Sequence, residues 1–128
     1  MRTAGRALMA LCTIACMAAC AAVVAGGIIG AGGITYINGE LREDVNRSAD
    51  KTYAATIRAL KDLGMPVLED RHDKLTARVK SRLATGEDVL ISIDSVTGST
   101  SKLGIRVGLI GDKYKSRMIL DRINSNLK

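Results

Sequence analysis

The sequence predicts an α+β domain: an antiparallel sheet of four to five strands with two helices on one face, in the order β-α-β-β-β-β-α. Three observations predict it. Polar and apolar residues alternate through Leu75–Leu83, Val89–Asp94 and Lys102–Leu109. Apolar residues recur at three- and four-residue spacing through Tyr53–Leu63 and Ser116–Leu127. Short polar turns, Thr85-Gly86-Glu87 and Gly98-Ser99-Thr100, join the alternating segments. Strands that are apolar on one side and joined by short turns imply an antiparallel meander. Two amphipathic helices then bury their stripes against the apolar side of that sheet.

Each element has its own signal. Ile37, Leu41 and Val45 fall on one alternating set, with Asn38, Glu40 and Arg42 opposite, and predict a first strand over Thr35–Asp44. Ser48 can cap the following helix through its hydroxyl, and Asp50 in the first turn suits the helix dipole. Tyr53, Thr56, Ile57, Leu60 and Leu63 form the buried stripe of that helix. Gly64 stops it and Pro66 forbids its resumption. A short strand over Met65–Glu69 follows. The next places Leu75, Ala77, Val79, Ser81 and Leu83 inward and Thr76, Arg78, Lys80 and Arg82 outward. Val89, Ile91 and Ile93 face inward on the third strand of this series, and Leu103, Ile105, Val107 and Leu109 on the fourth. Gly111-Asp112 opens the last helix, with Asp112 as its cap and Ser116, Ile119, Leu120, Ile123 and Leu127 as its buried stripe.

The chain has 128 residues, enough for one domain. Charge divides it. No Asp, Glu, Lys, Arg or His occurs from Ala7 to Gly39, and every acidic residue lies from Glu40 onward. Met1–Arg6 carries two arginines, Ala7–Met17 is apolar, and Met17-Ala18-Ala19-Cys20 follows. That succession reads as a lipoprotein signal over residues 1–19, with small residues before a cysteine whose thiol takes the lipid. Cys16, in Thr13-Ile14-Ala15-Cys16, is the poorer alternative because Thr13 is less apolar. Residues 20–34 are then a lipidated cysteine and a glycine-rich apolar tether, and residues 35–128 a single α+β domain. The competing reading is an uncleaved inner-membrane span, since Ala7–Ile37 exceeds the about 20 residues a span needs. Either anchor places the domain in the cell envelope. Ala21, where Asp would signal inner-membrane retention, favours the outer membrane, facing the periplasm.

Composition excludes several classes. All three cysteines, Cys12, Cys16 and Cys20, lie in the apolar segment, so the domain has neither disulfides nor a cysteine zinc site. There is no Trp or Phe, and only three Tyr, which leaves few platforms for stacking bases or sugars. Loss of Arg2 and Arg6 lowers the net charge from +6 to +4, a mild excess that suits anionic surfaces better than nucleic acid.

With these elements placed, the chain resembles a family of short bacterial lipoproteins known as domain of unknown function thirty-five sixty-eight. The resemblance rests on Tyr36-Ile37-Asn38-Gly39-Glu40-Leu41, on Asp50–Thr56 leading into Ala59–Gly64, and on Ile105-Arg106-Val107-Gly108 followed by Gly111-Asp112, Ser116 and Ile119–Ile123. It implies an envelope lipoprotein with no catalytic residues to carry over. The element order is also similar to helix-grip domains of outer-membrane assembly lipoproteins, an analogy of fold alone.

The candidate sites follow. Arg78, Lys80, Arg82, Lys102 and Arg106 point outward on neighbouring strands and form a candidate basic, partner-binding face, tempered by Asp94. Its expected partners are an envelope protein or anionic lipid. His72, the only histidine, sits in Asp70-Arg71-His72-Asp73-Lys74 and reads as part of a solvated hairpin turn. Gly108–Lys113 precedes a helix, where phosphate can bind, but lacks a P-loop pattern; tight-turn glycines and a capping Asp112 account for it. No catalytic set, metal-ligand set or cofactor motif emerges. The expected function is a non-enzymatic interaction module of the envelope. The alternative is a carrier of an amphipathic ligand held between helices and sheet, lined by Tyr53, Ile57 and Leu60.

Overall fold

The computed structural model describes residues 33–128, and residues 33–128 form one compact unit. Its elements are β1 (Ile34–Ile37), β2 (Glu40–Val45), α1 (Ala49–Asp62), β3 (Val67–His72), β4 (Thr76–Arg82), β5 (Asp88–Thr97), β6 (Thr100–Val107) and α2 (Lys113–Leu127). The fold is α+β and the sheet antiparallel throughout, but it has six strands, in the spatial order β1-β2-β6-β5-β4-β3.

The sixth strand arises where one was expected over Thr35–Asp44. Asn38 and Gly39 both have positive φ, 52° and 81°, and form a two-residue turn that pairs Ile37 with Glu40. Asn-Gly favours this turn because both central residues must be left-handed. The turn also reverses the side-chain parity. Tyr36 pairs with Leu41 and lies over the helices, while Ile37 is turned to the other face with Glu40. The order is therefore β-β-α-β-β-β-β-α.

From β2 the chain crosses to the far edge of the sheet through α1, then returns strand by strand from β3 to β6, beside β2. Fourteen helical residues reach about 21 Å. Four strand spacings, the distance to be crossed, come to about 19 Å. α1 packs across β4, β5 and β6, and α2 packs across β2 and β6 and against α1. Both helices thus lie on one face. Between them and the sheet is a single cluster built on Leu60, Ile91, Ile93, Leu103, Ile105, Ile119 and Ile123, all nearly solvent-free. Two buried hydroxyls tie α1 to β6: Thr52 Oγ1 and Ser101 Oγ are 2.8 Å apart, and Ser101 also donates to the Arg47 carbonyl. Both expected caps are made. Ser48 Oγ accepts from the Lys51 amide and Asp112 Oδ1 from the Lys115 amide.

Other expectations are corrected at strand ends. The strand expected over Met65–Glu69 begins at Val67 and runs to His72, with a register shift between Val67 and Glu69. Met65 is buried in the loop before it. The turn is Asp73–Leu75, where the Asp73 carboxylate accepts from the amides of Leu75 and Thr76, so Asp70, Arg71 and His72 are strand residues. Leu75 lies in that turn and is 66 % exposed instead of inward. Leu109 is 97 % exposed, because the positive φ of Gly108 ends β6 at Val107. Tyr53 is half-buried beside β3, outside the core proper. Ile34, assigned to the tether, is the first residue of β1.

Candidate functional site

With both helices on one face, the opposite face of the sheet is uncovered. The strand registers arrange its residues in rows. One row reads Arg71, Arg78, Ser92, Gly104, Arg42 and Thr35 from β3 to β1; the next reads Glu69, Lys80, Leu90, Arg106, Glu40 and Ile37. A groove of about 370 Å³ lies across these two rows, lined by Glu69, Arg71, Arg78 and Lys80 on one side and by Arg106 and Glu40 on the other, four cations against two carboxylates. Leu90 and Ser92 lie between.

Gly104 shapes the floor. A Cβ there would overlap the Glu40 carboxylate and come within 2.6 Å of Ser92 Oγ. The missing side chain leaves room for both polar groups to lean over the centre of the sheet. Glu40 is steadied by Arg42, whose Nε donates to Oε1 at 3.1 Å. Arg106 is fixed differently: Nη2 donates to the Asn38 carbonyl at 2.6 Å, while Nε is buried with no partner among the described residues.

All five cations expected on this face lie on outward strand positions, but they do not form one basic field. Arg78 pairs with Asp94 at 2.9 Å. Lys80 and Arg82 share Asp88, at 3.5 and 2.8 Å. Lys102 stands opposite Asp44 on β2 and Asp94 on β5, outside the groove, and Arg82 also lies outside it. The groove itself gathers Arg78, Lys80 and Arg106. It adds Arg71, which was expected in a turn and makes no ion pair among the described residues. The register pairs Arg71 with Arg78 across β3 and β4, so an arginine without an ion pair among the described residues stands opposite one held by Asp94. Asp88 shares the even parity of Leu90 and Asp94; that parity was the signal for its place on this face. Its carboxyl is held below the usual carboxylate range, chiefly by the hydrogen bond from Arg82.

The remaining candidates lie elsewhere. His72 ends β3, and its ring stacks on that of Tyr53, with centroids 4.1 Å apart and planes 4° apart. The Tyr53 hydroxyl donates to Asp70 Oδ2 at 2.5 Å. That bond, with desolvation and the carboxylate's charge, pushes the Tyr53 phenol up to about 12. The first turn of α2, considered above for phosphate, is filled by its own Asp112 cap, beside which Lys115 Nζ sits at 3.7 Å. Of the residues weighed as the wall of a ligand cavity, Leu60 is fully buried in the core, Ile57 partly buried, and Tyr53 turned toward Asp70. Cys20, Cys16, the signal segment and nearly all of the tether lie outside the described residues. Among the described residues no helix is long and apolar enough to cross a membrane.

Fold and site together define a small α+β domain with a helix-backed antiparallel sheet whose other face is open and grooved. The profile of the family described as "Protein of unknown function (DUF3568)" matches residues 4–126, and the chain belongs to that family. A search of curated proteins finds no match.

Proposed function

We propose that this chain is a lipid-anchored protein of the bacterial envelope, held through Cys20, that offers the open face of its sheet to an acidic segment of an envelope protein. The observation that carries the partner-binding half is the groove, where Arg71, Arg78, Lys80 and Arg106 meet on a face that neither helix covers. Acidic segments are drawn to such a surface by its potential and then fixed by guanidinium–carboxylate pairs. The anchor half rests on the order of Arg2, Arg6, the apolar run and Met17-Ala18-Ala19-Cys20. Several acyl chains on one sulfur, each methylene contributing ~0.8 kcal/mol on burial, hold a domain firmly without a span. In this reading the domain faces the periplasm from the outer membrane; a single-pass inner-membrane anchor is the alternative. It acts without catalysis or cofactor.

Two substitutions test the halves separately. Cys20→Ser should leave unprocessed precursor, and intact mass should show the acyl increments only in the wild type. Equal processing and equal mass would overturn the anchor. Arg71→Glu, at an exposed residue with no ion pair among the described residues, should abolish co-purification of a cross-linked envelope protein while leaving the melting curve in place. Undiminished co-purification would overturn the groove as the docking face.

A further inference from the structure

The loop between β6 and α2 displays two consecutive aliphatic side chains, Leu109 and Ile110, at 97 % and 89 % exposure. Scattered exposed leucines are ordinary, but this pair is held out by a braced backbone. Gly108 and Gly111 both take positive φ, 71° and 94°. The Gly108 amide donates to the Asp88 carbonyl at 2.8 Å. Gly111 lies directly on the backbone of Gly39, and the Ile110 carbonyl abuts the same glycine, so the Asn38-Gly39 turn buttresses the loop from behind. Asp112 then fixes the start of α2. Next in the chain stand Lys113, exposed and without an ion pair among the described residues, and Tyr114, 83 % exposed.

We propose that the Leu109–Ile110 loop inserts into the lipid surface to which the chain is tethered, with Lys113 and Tyr114 at headgroup level. The presence of that surface rests on the Cys20 anchor proposed above; the loop's affinity for it does not. Residues 21–32 separate Cys20 from the described domain. Extended, those 12 residues reach about 40 Å, farther than the about 33 Å spanned by the ten residues of β5. Every surface of the domain can therefore touch the bilayer, and the anchor alone does not set which one does. The choice falls to the domain's own affinity. A bilayer asks for no complementary shape, only aliphatic side chains to bury, with cations and an amphipathic aromatic beside them. The excess of 17 basic over 13 acidic side chains from Gly33 onward adds attraction to anionic headgroups. Docked this way, the strands stand on the membrane at the Asp88 end. The Gly98 turn points away, and the groove faces sideways, open to a neighbouring envelope protein.

The chain contains no Trp, so each Leu109→Trp or Val96→Trp variant carries a single reporter. Val96 lies at the far end of β5. Full-length protein is reconstituted into phosphatidylethanolamine–phosphatidylglycerol vesicles, with and without acyl-brominated lipid. Circular dichroism checks the fold, and Ile110→Trp serves as a second reporter should Leu109→Trp melt early. The proposal expects Leu109→Trp emission to shift to the blue and to be quenched by brominated lipid, while Val96→Trp stays red and is quenched by aqueous iodide. Red emission from both loop reporters would overturn it. So would a blue shift that brominated lipid does not quench and that grows with protein density, the mark of a second copy covering the loop. Intact mass of the same preparation reports the anchor separately: a mass without acyl chains would sink the anchor, while the emission and quenching still decide whether the loop enters lipid.

Discussion

Gly39 and Gly111 meet backbone to backbone, and this contact joins the β1–β2 turn to the loop before α2. Gly111→Ala would drive a Cβ into the carbonyl and Cα of Gly39 at a φ of 94°. Overpacking costs about 1–3 kcal/mol and a left-handed non-glycine residue about 1–3 more. The variant should lose at least about 2 kcal/mol, or roughly 10 °C of melting temperature for a domain this size. Gly86→Ala, at the same φ of 94° but with open space around it, isolates the backbone part and should lose less. Equal losses in thermal melts would mean that the Gly39 contact adds nothing. Tyr53 offers a second test at this scale. Its phenol is pushed up to about 12, chiefly because ionising it breaks the bond to Asp70, and also through desolvation and the nearby negative charge. With Tyr36 and Tyr114 replaced by Phe, phenolate absorbance should rise near 12, and Asp70→Asn should bring it back toward 10. No movement in the Asp70→Asn variant would show that the hydrogen bond is not the cause.

Alternation along a strand fixes which residues face the helices, and a pair of substitutions on neighbouring strands checks it. Ile105 on β6 is fully buried, whereas Leu90 on β5 is 50 % exposed between Lys80 and Arg106. Ile105→Asp buries an unpaired carboxylate and should cost about 4–5 kcal/mol or more, a large share of what holds such a domain. Leu90→Asp sets the same carboxylate between two cations and should change stability by less than about 1 kcal/mol. Denaturant melts decide it: comparable losses would invalidate the face assignment. The same alternation made β4, β5 and β6 readable from the sequence, and with them three cations of the groove, as three- and four-residue spacing made both helices readable. It misled where backbone geometry interrupts the count. Ile37, Leu41 and Val45 share one parity on paper, yet the Asn38-Gly39 turn reverses it between Ile37 and Leu41. Leu109 continues the parity of β6 past a glycine that ends the strand. β3 has no alternation to read, because as an edge strand all its residues are exposed, so the strand was expected to end at Glu69 and Arg71 to lie in the turn. The groove depends on cross-strand register, which joins Glu40 to Arg106 and Leu90 to Arg106 over distances in sequence that no local pattern encodes.

Across the whole molecule, the shifted groups bound a pH window. Asp73 is held below the usual carboxylate range by the amides of Leu75 and Thr76, Glu87 by Lys115, and Asp88 by Arg82. They close the β3–β4 turn, tie the β4–β5 turn to α2, and bind β4 to β5. A carboxyl whose folded value lies below its unfolded value, about 4, favours the folded state fully at higher pH. It loses that contribution as pH falls through the folded value. Lys115, raised by Glu87, and Tyr53, raised to about 12 by Asp70, act in the opposite sense. Their stabilisation is complete below their unfolded values, about 10, and disappears as pH climbs past them. The melting temperature should therefore be nearly level from about pH 5 to about 9 and fall on either side. All these groups are solvent-accessible, so each contribution is small and screened by salt, and the slopes should flatten as ionic strength rises. A variant carrying Asp73→Asn, Glu87→Gln and Asp88→Asn should melt lower at neutral pH and lose less on acidification, its curve converging with the wild type in acid. Parallel curves separated by a constant offset would show that these three carboxylates set the level of stability but not its acid limit.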